Sequence, residues 1–157
     1  MPKPMPCLWF DDRIEEAVKF YTTTFPNAKI TETTHYMAAG PMPEGTILTI
    51  SFEIDGQEFM ALNGGADFKF TEAVSFVIVC KDQKEVDYYW NTLTKDGGEE
   101  SMCGWVKDKF GLSWQITPEA LERHIRSKDK AKANRVMQAM LSMRKIIVAD
   151  IEKAAAG

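Results

Sequence analysis

The chain has 157 residues, of which 45% are hydrophobic and 27% charged, a composition typical of a single globular domain. Its formal net charge of −4 provides no general attraction to nucleic acid or anionic membranes, so we expect neither as a partner. No apolar run approaches the roughly 18 residues of a membrane span and no basic, apolar leader is recognisable, so we expect a cytoplasmic protein.

The first half of the chain predicts the order β-α-β-β-β. An apolar run over residues 5–10 predicts a buried strand, and Asp12 followed by Glu15 predicts the capped start of a helix. Three further strands are expected at residues 29–36, 46–54 and 57–63. Asp55-Gly56 is typical of the hairpin turn between the last two, and prolines and glycines over 38–45 predict a loop.

The second half predicts the same order. A strand is expected at 74–80, followed by a helix from 83 to about 95 that ends before Gly97-Gly98. Three short strands are expected near 99–103, 104–109 and 112–117. Two such modules, at about 4–65 and 73–117, predict eight strands and two covering helices in an α+β domain.

A helical extension over 118–157 is predicted to complete this single domain, 1–157. Thr117-Pro118-Glu119 favours the start of a short helix, and Asp129 favours the cap of a longer one. An apolar stripe follows at Val136, Met140, Met143 and Ile147, with Met137, Leu141 and Val148 beside it. The stripe packs either on the parent domain or on a second subunit, and the sequence favours neither.

The two halves of the chain echo each other. The run from Ser75 to Asp82 repeats the plan of the run from Met5 to Asp12, with the closing aspartates 70 positions apart. An aromatic pair follows in each half, at Phe20-Tyr21 and at Tyr89-Trp90. A repeat of this length predicts two copies of one supersecondary unit.

Five runs, taken in order, resemble a known family. They are Leu8-Trp9-Phe10-Asp11, Glu16-Ala17-Val18-Lys19-Phe20-Tyr21, Phe59-Met60-Ala61-Leu62-Asn63-Gly64-Gly65, Cys103-Gly104-Trp105 and the stretch from Lys107 to Ile116. With the tandem repeat, they resemble the vicinal oxygen chelate superfamily, which includes glyoxalase I, extradiol dioxygenases and the fosfomycin and bleomycin resistance proteins. The nearer resemblance is to its PhnB-like branch, often labelled 3-demethylubiquinone-9 3-methyltransferase. The fold implied is glyoxalase-like, with tandem βαβββ modules forming a curved eight-stranded sheet.

The resemblance also implies where a metal would bind. Metal-dependent members hold a divalent cation through four side chains, typically histidine and glutamate, on the first and fourth strands of each half. Alignment on the closing aspartates places Met5, Asn63, Ser75 and Gln115 at these positions. None is an imidazole or a carboxylate, so we predict no metal and no other cofactor. The two histidines, His35 and His124, stand alone and are not expected to be ligands.

Alternation along these strands predicts a ligand pocket in the cup of the sheet. Its predicted lining is Met5, Cys7, Trp9, Ala61, Asn63, Ser75, Val77, Ser113 and Gln115. A mostly apolar pocket with a few polar groups is the usual character of a small-molecule site. The alternative is that these are core residues of two packed sheets.

The sequence therefore favours a metal-independent homodimer that binds a small organic molecule and is joined in part by its C-terminal helices. Whether the protein is an enzyme stays open, because no predicted pocket residue is a clear general base. The alternatives are a glyoxalase- or dioxygenase-type enzyme whose metal is held partly by substrate, a sequestering protein like the bleomycin resistance proteins, and an interaction domain with a collapsed pocket.

Two other chemistries find no support in the sequence. Methyl transfer most often uses a glycine-rich loop after the first strand, where this chain has Asp11-Asp12-Arg13. The three cysteines, Cys7, Cys80 and Cys103, are an odd number without a C-x-x-C pair, which argues against both a disulfide framework and a structural zinc site.

Overall fold

The computed structural model describes residues 3–157 and has an α+β fold. The chain divides into two compact units, the first ending at Lys69 and the second spanning Phe70–Gly157. Each unit contains a four-stranded mixed sheet and a covering helix, and the second also carries three C-terminal helices. The α+β class, the two βαβββ modules and the C-terminal helices predicted from the sequence are confirmed.

The first unit contains one helix and four strands. They are β1 (Cys7–Phe10), α1 (Ile14–Thr24), β2 (Ala28–His35), β3 (Ile47–Ile54) and β4 (Gln57–Asn63). The strand order is β1-β4-β3-β2, with β1 parallel to β4 and the other pairs antiparallel. The β3–β4 hairpin turns at Asp55 and Gly56, which have φ angles of 46° and 84°, the left-handed pair of a type I′ turn.

An aromatic stack joins α1 to this sheet. The ring centroids of Tyr21 and Phe52 are 6.1 Å apart, and those of Phe52 and Phe59 are 5.2 Å apart. The start of α1 differs from the prediction, because its N-cap is Arg13 and no side chain caps it. The predicted Asp12 cap is therefore wrong, since the helix begins one residue too late for that carboxylate to reach the first free N–H groups.

The second unit repeats this order with shorter strands. Its module comprises β5 (Ser75–Cys80), α2 (Gln83–Thr94), β6 (Glu99–Glu100), β7 (Trp105–Lys107) and β8 (Ser113–Pro118). The strand order is β5-β8-β7-β6, with β5 parallel to β8. Here the helix is capped: Asp82 Oδ1 accepts from the Glu85 N–H at 2.9 Å, and the Glu85 carboxylate accepts from the Lys81 N–H at 2.9 Å.

A buried carboxylate fixes the turn between β7 and β8. Asp108, which is only 2% exposed, accepts hydrogen bonds from the N–H groups of Phe110 and Leu112 at 2.9 and 3.1 Å. Its other oxygen accepts from the indole N–H of Trp114 at 2.9 Å. The backbone N–H of Asp108 in turn donates to the Leu112 carbonyl. The turn and the first residues of β8 are therefore held by one side chain.

The C-terminal segment forms three helices, α3 (Glu119–Ile125), α4 (Lys130–Leu141) and α5 (Val148–Ala156). The Asp129 side chain caps α4 by accepting from the Lys132 N–H at 3.1 Å, as predicted. The predicted longer helix is interrupted after Leu141, because the carbonyls of Met143 and Arg144 accept from the N–H groups of Cys103 and Gly104 at 2.8 and 2.7 Å.

These helices pack on one another through a common apolar cluster. It consists of Leu121, Val136, Ile146, Ile151 and Ala155. Of the predicted stripe, Val136 belongs to this cluster and Met140 and Met143 pack against it. Two members remain exposed on α4, Met137 at 42% and Leu141 at 56%. Across residues 3–157 no helix has both the length and the apolar composition needed to cross a bilayer.

We expect Asp108→Ala to lower the free energy of unfolding by about 3 kcal/mol or more, because two buried donors and one partly buried donor would lose a charged acceptor. Urea denaturation of both proteins measures the difference. Asp67→Ala, a change at an exposed aspartate, is the matched control and should stay within about 0.5 kcal/mol. Equal losses in the two variants would show that the Asp108 carboxylate does not hold the turn.

Candidate functional site

The sheet of the second unit has one face covered by α2 and one face that is not. Glu100 accepts from the Trp90 indole of α2 at 3.0 Å and lies beside Val106, which marks the covered face. The opposite face, here called the polar face, carries two rows of side chains. One row is Glu99, Lys107, Ser113 and Ser75, and the other is Trp105, Gln115 and Val77.

Four predicted pocket residues are brought together on the polar face. Register places Ser75 beside Ser113 and Val77 beside Gln115. The amide Nε2 of Gln115 donates to Ser75 Oγ at 2.9 Å, so the two predicted metal-ligand positions of this unit contact each other directly. That these residues contact a ligand stays a prediction.

The first unit does not bring its predicted residues together in the same way. Cys7 and Trp9 of β1 lie beside Met60 and Leu62 of β4. Ala61 and Asn63 lie on the opposite face, beside Leu8 and Phe10, where the sheet is buried under α1. The prediction that Ala61 and Asn63 share a face with Cys7 and Trp9 is therefore wrong.

The prediction fails because the number of residues between the first strand and its parallel partner differs between the two halves. Cys7 and Val77 occupy equivalent places 70 residues apart, whereas their parallel-strand partners Met60 and Gln115 are 55 residues apart. The difference arises because β6 and β7 have two and three residues where β2 and β3 have eight each. The structural counterpart of Gln115 is thus Met60, a thioether, and the predicted equivalence of Asn63 and Gln115 is corrected.

Two further predicted residues of the first unit, Met5 and Trp9, have different surroundings. Met5 lies before β1 and is exposed. The Trp9 indole N–H donates to the Gly65 carbonyl at 2.8 Å, and its ring centroid lies 4.9 Å from that of Phe68 in a T-shaped arrangement. A Cβ at Gly64 would lie 2.3 Å from the Trp9 ring, so the first glycine of the pair is required for this indole to fit.

A pocket of about 120 Å³ opens at the edge of the polar face. It is lined by Glu72, Glu99, Glu100, Ser101, Trp105, Val106, Lys107 and Ser113. Lys107 Nζ lies 2.5 Å from a carboxylate oxygen of Glu72, which precedes β5. Ser113 is 0% exposed, and its Oγ has no hydrogen-bond partner among the described residues.

Sequence reasoning missed most of this pocket. Of the eight lining residues, the predicted pocket contained Ser113 alone. The alternation that identifies Ser113 and Gln115 applies equally to β7, and with the correct register it would have added Trp105 and Lys107. The missing information was the register of the short strands β6 and β7.

Neither Cys7 nor Cys80 offers a thiolate at neutral pH, and the described residues form no metal-binding cluster. Burial raises the pKa of the Cys7 thiol, and burial together with nearby carboxylates raises the pKa of Cys80 to about 12. Both thiols are therefore protonated at neutral pH. Within residues 3–157 no three histidine, cysteine, aspartate or glutamate side chains lie close enough to hold a metal ion.

Comparison with known proteins identifies relatives of the whole tandem module. A family model described as 3-demethylubiquinone-9 3-methyltransferase matches residues 2–117, so α3 to α5 lie beyond it. The solved structure of the PhnB protein from Bacillus cereus is 33% identical, covers 74% of this chain and 99% of its own, and has a TM-score of 0.67. None of the curated proteins matches the chain.

More distant structures share the fold. A protein from Pseudomonas aeruginosa is 18% identical over 76% of this chain and 98% of its own, with a TM-score of 0.62. The fosfomycin resistance protein FosX from Listeria monocytogenes is 16% identical over 80% of this chain and 98% of its own, with a TM-score of 0.58. At these identities the likeness is one of fold alone.

The ion pair at the pocket predicts a measurable titration. The hydrogen bond from Lys107 holds the pKa of Glu72 below its usual value of 4.5. The pair therefore stabilises the folded chain at neutral pH, and its contribution is lost as the pH falls through the lowered pKa. NMR titration of the Glu72 carboxyl carbon should give a midpoint below 4.5 that rises toward 4.5 in Lys107→Met.

Lys84→Met, a change at an exposed lysine of α2, is the control and should leave the Glu72 midpoint where it is in the wild-type chain. An unchanged midpoint in Lys107→Met would show that the two side chains do not pair in solution.

Proposed function

Because this chain belongs to the PhnB-like, 3-demethylubiquinone-9 3-methyltransferase family of the vicinal oxygen chelate superfamily, we propose that it binds a small organic molecule on the polar face without a divalent metal. The observation that carries the proposal is the Gln115–Ser75 hydrogen bond, which joins two neutral polar side chains at the positions predicted for metal ligands. A neutral donor and acceptor pair of this kind orients a substrate through hydrogen bonds.

The side chains at those positions do not suit a transition metal. Gln115 and Ser75 offer neutral oxygens, and Met60, the counterpart of Gln115 in the first unit, offers a thioether. Zinc, nickel and iron sites are typically built from imidazole, thiolate and carboxylate groups, whose charge and basicity these residues lack. The donor set therefore disagrees with the metal chemistry of the metal-dependent relatives.

The pocket beside this pair supplies the shape that binding requires. Its volume of about 120 Å³ suits a small molecule or one end of a larger one, and it joins the polar face at Ser113. Carboxylates, a hydroxyl and an indole converge there, which gives a ligand both polar and apolar contacts.

The methyl transfer in the family description is not part of the proposal. The loop after β1 reads Asp11-Asp12-Arg13 and not a glycine-rich sequence, and the sheets are mixed and four-stranded. Fosfomycin resistance likewise belongs to FosX, whose likeness to this chain is one of fold. Homodimer formation through the C-terminal helices stays a prediction, for which exposed Met137 and Leu141 on α4 are the residues of interest.

The first test measures metal content. After incubation with zinc, nickel, manganese or ferrous salts and desalting, we expect well below one ion per chain by inductively coupled plasma mass spectrometry, because no charged ligand occupies the predicted positions. One ion retained per wild-type chain, and lost in Gln115→Met, would overturn the metal-free proposal in favour of a metal-dependent enzyme.

The second test locates the ligand. A library of small metabolites is screened for compounds that raise the melting temperature, since a ligand at 100 times its dissociation constant stabilises by about 2.7 kcal/mol. We expect the shift to be lost in Gln115→Met and kept in Gln57→Met, a control at the exposed first residue of β4. Compounds that shift both variants equally would place binding elsewhere. Mass spectrometry of the incubated compounds separates turnover from sequestration.

A further inference from the structure

We infer that the pocket at Glu99, Trp105, Lys107 and Ser113 takes a small organic cation, such as a primary alkylammonium group. This inference rests on the proposed function, since it names the ligand class of the same face. It follows from the charge of the lining, from one buried hydroxyl without a partner, and from the indole at the pocket wall.

The pocket lining contains more acidic than basic residues. Three glutamates, Glu72, Glu99 and Glu100, and one lysine, Lys107, line the pocket, with the Glu100 carboxylate turned toward α2. Glu72 is paired with the Lys107 ammonium, and Glu100 accepts from the Trp90 indole and lies 3.9 Å from Nη1 of Arg144. The carboxylate of Glu99 lies in the row beside Lys107 and attracts that ammonium at longer range, but the Lys107 salt bridge is made to Glu72. Glu99 is the acceptor available to an incoming cation.

The buried hydroxyl indicates that the pocket is built for a polar group. A buried polar atom normally has a partner, and leaving one unpaired destabilises the folded state. Ser113 Oγ is fully buried beside Lys107 in the sheet and is unpaired within the described chain. An ammonium N–H reaching this oxygen would supply the missing hydrogen bond, since a hydroxyl oxygen can accept it.

The indole of Trp105 suits the same ligand. Trp105 lines the pocket on the polar face, one row from Ser113. The face of an indole attracts a cation through the ring quadrupole, and it also packs against an alkyl chain. The small volume, about 120 Å³, suits an ammonium with a short alkyl chain.

An anionic ligand fits the lining less well. The only cation in the lining, Lys107, is already neutralised by Glu72 at 2.5 Å. An entering carboxylate would displace that pair and then face Glu99 across the same row. Like charges in neighbouring positions on a sheet repel each other, so the site discriminates by charge.

The experiment compares three probes of equal length that differ in charge, namely butylammonium, 1-butanol and butyrate. The chain has four tryptophans, so a ¹⁵N-labelled sample gives four indole N–H signals, and Trp105→Phe identifies that of Trp105. We expect titration with butylammonium to move the Trp105 signal in a saturable way. Butanol should move it less at the same concentration, and butyrate should leave it in place.

Two variants test the named contacts. Glu99→Gln should raise the dissociation constant of butylammonium about fivefold, the size of a partly exposed charge contact. Ser113→Ala should weaken binding and also raise the melting temperature of the free protein, because it removes the unpaired buried oxygen. Glu32→Gln removes an equal charge from exposed β2 and should leave the dissociation constant unchanged.

The outcomes separate this inference from the proposed function. If butyrate or butanol binds as tightly as butylammonium, or if Glu99→Gln and Glu32→Gln behave alike, the cation preference is wrong. If no probe moves the Trp105 signal while library ligands still depend on Gln115, the proposed function stands and the ligand class fails. If neither library ligands nor probes bind, both fail.

Discussion

A single buried carboxylate, that of Asp108, accepts two backbone N–H groups of the β7–β8 turn and the indole N–H of Trp114. Through these bonds it holds the two strands in one register. That register places Lys107 beside Ser113 and Trp105 beside Gln115, so the polar face and its pocket depend on the same side chain. A one-residue slip would carry all of these groups to the side covered by α2.

The two units show how one supersecondary plan supports different surfaces. In the first unit, long β2 and β3 strands and an aromatic stack under α1 bury Ala61 and Asn63. In the second, very short β6 and β7 strands leave room at the sheet edge, where the pocket forms. Both units keep the helix and the parallel pair of first and last strands. The lengths of the two strands between them decide which residues of the last strand pair with the first.

The chemistry of the polar face follows from what those positions contain. Metal-dependent members of the superfamily typically carry imidazoles and carboxylates at their metal positions. At the positions predicted from them, this chain has the Gln115 amide hydrogen-bonded to the Ser75 hydroxyl. Two carboxylates of this unit lie nearby, that of Glu99 on the edge strand and that of Glu72 before β5, and Glu72 is paired with Lys107. The charged side chains therefore line the neighbouring pocket and are not at the predicted metal positions. This arrangement favours a ligand bound by hydrogen bonds and ion pairing.

Most of the fold could be predicted from the sequence, because periodicity, caps and turn residues act over a few neighbouring residues. The Asp55-Gly56 hairpin, the tandem β-α-β-β-β order and the Asp129 cap all depend on such local patterns. The candidate site could be predicted only in part. Ser75, Val77, Ser113 and Gln115 fall on one face by alternation alone, whereas the places of Glu72 and Glu99 depend on loop length and on contacts between distant segments. Strand register is a tertiary property, since it is set by which backbone groups meet across the sheet, and it decided which side chains share a face.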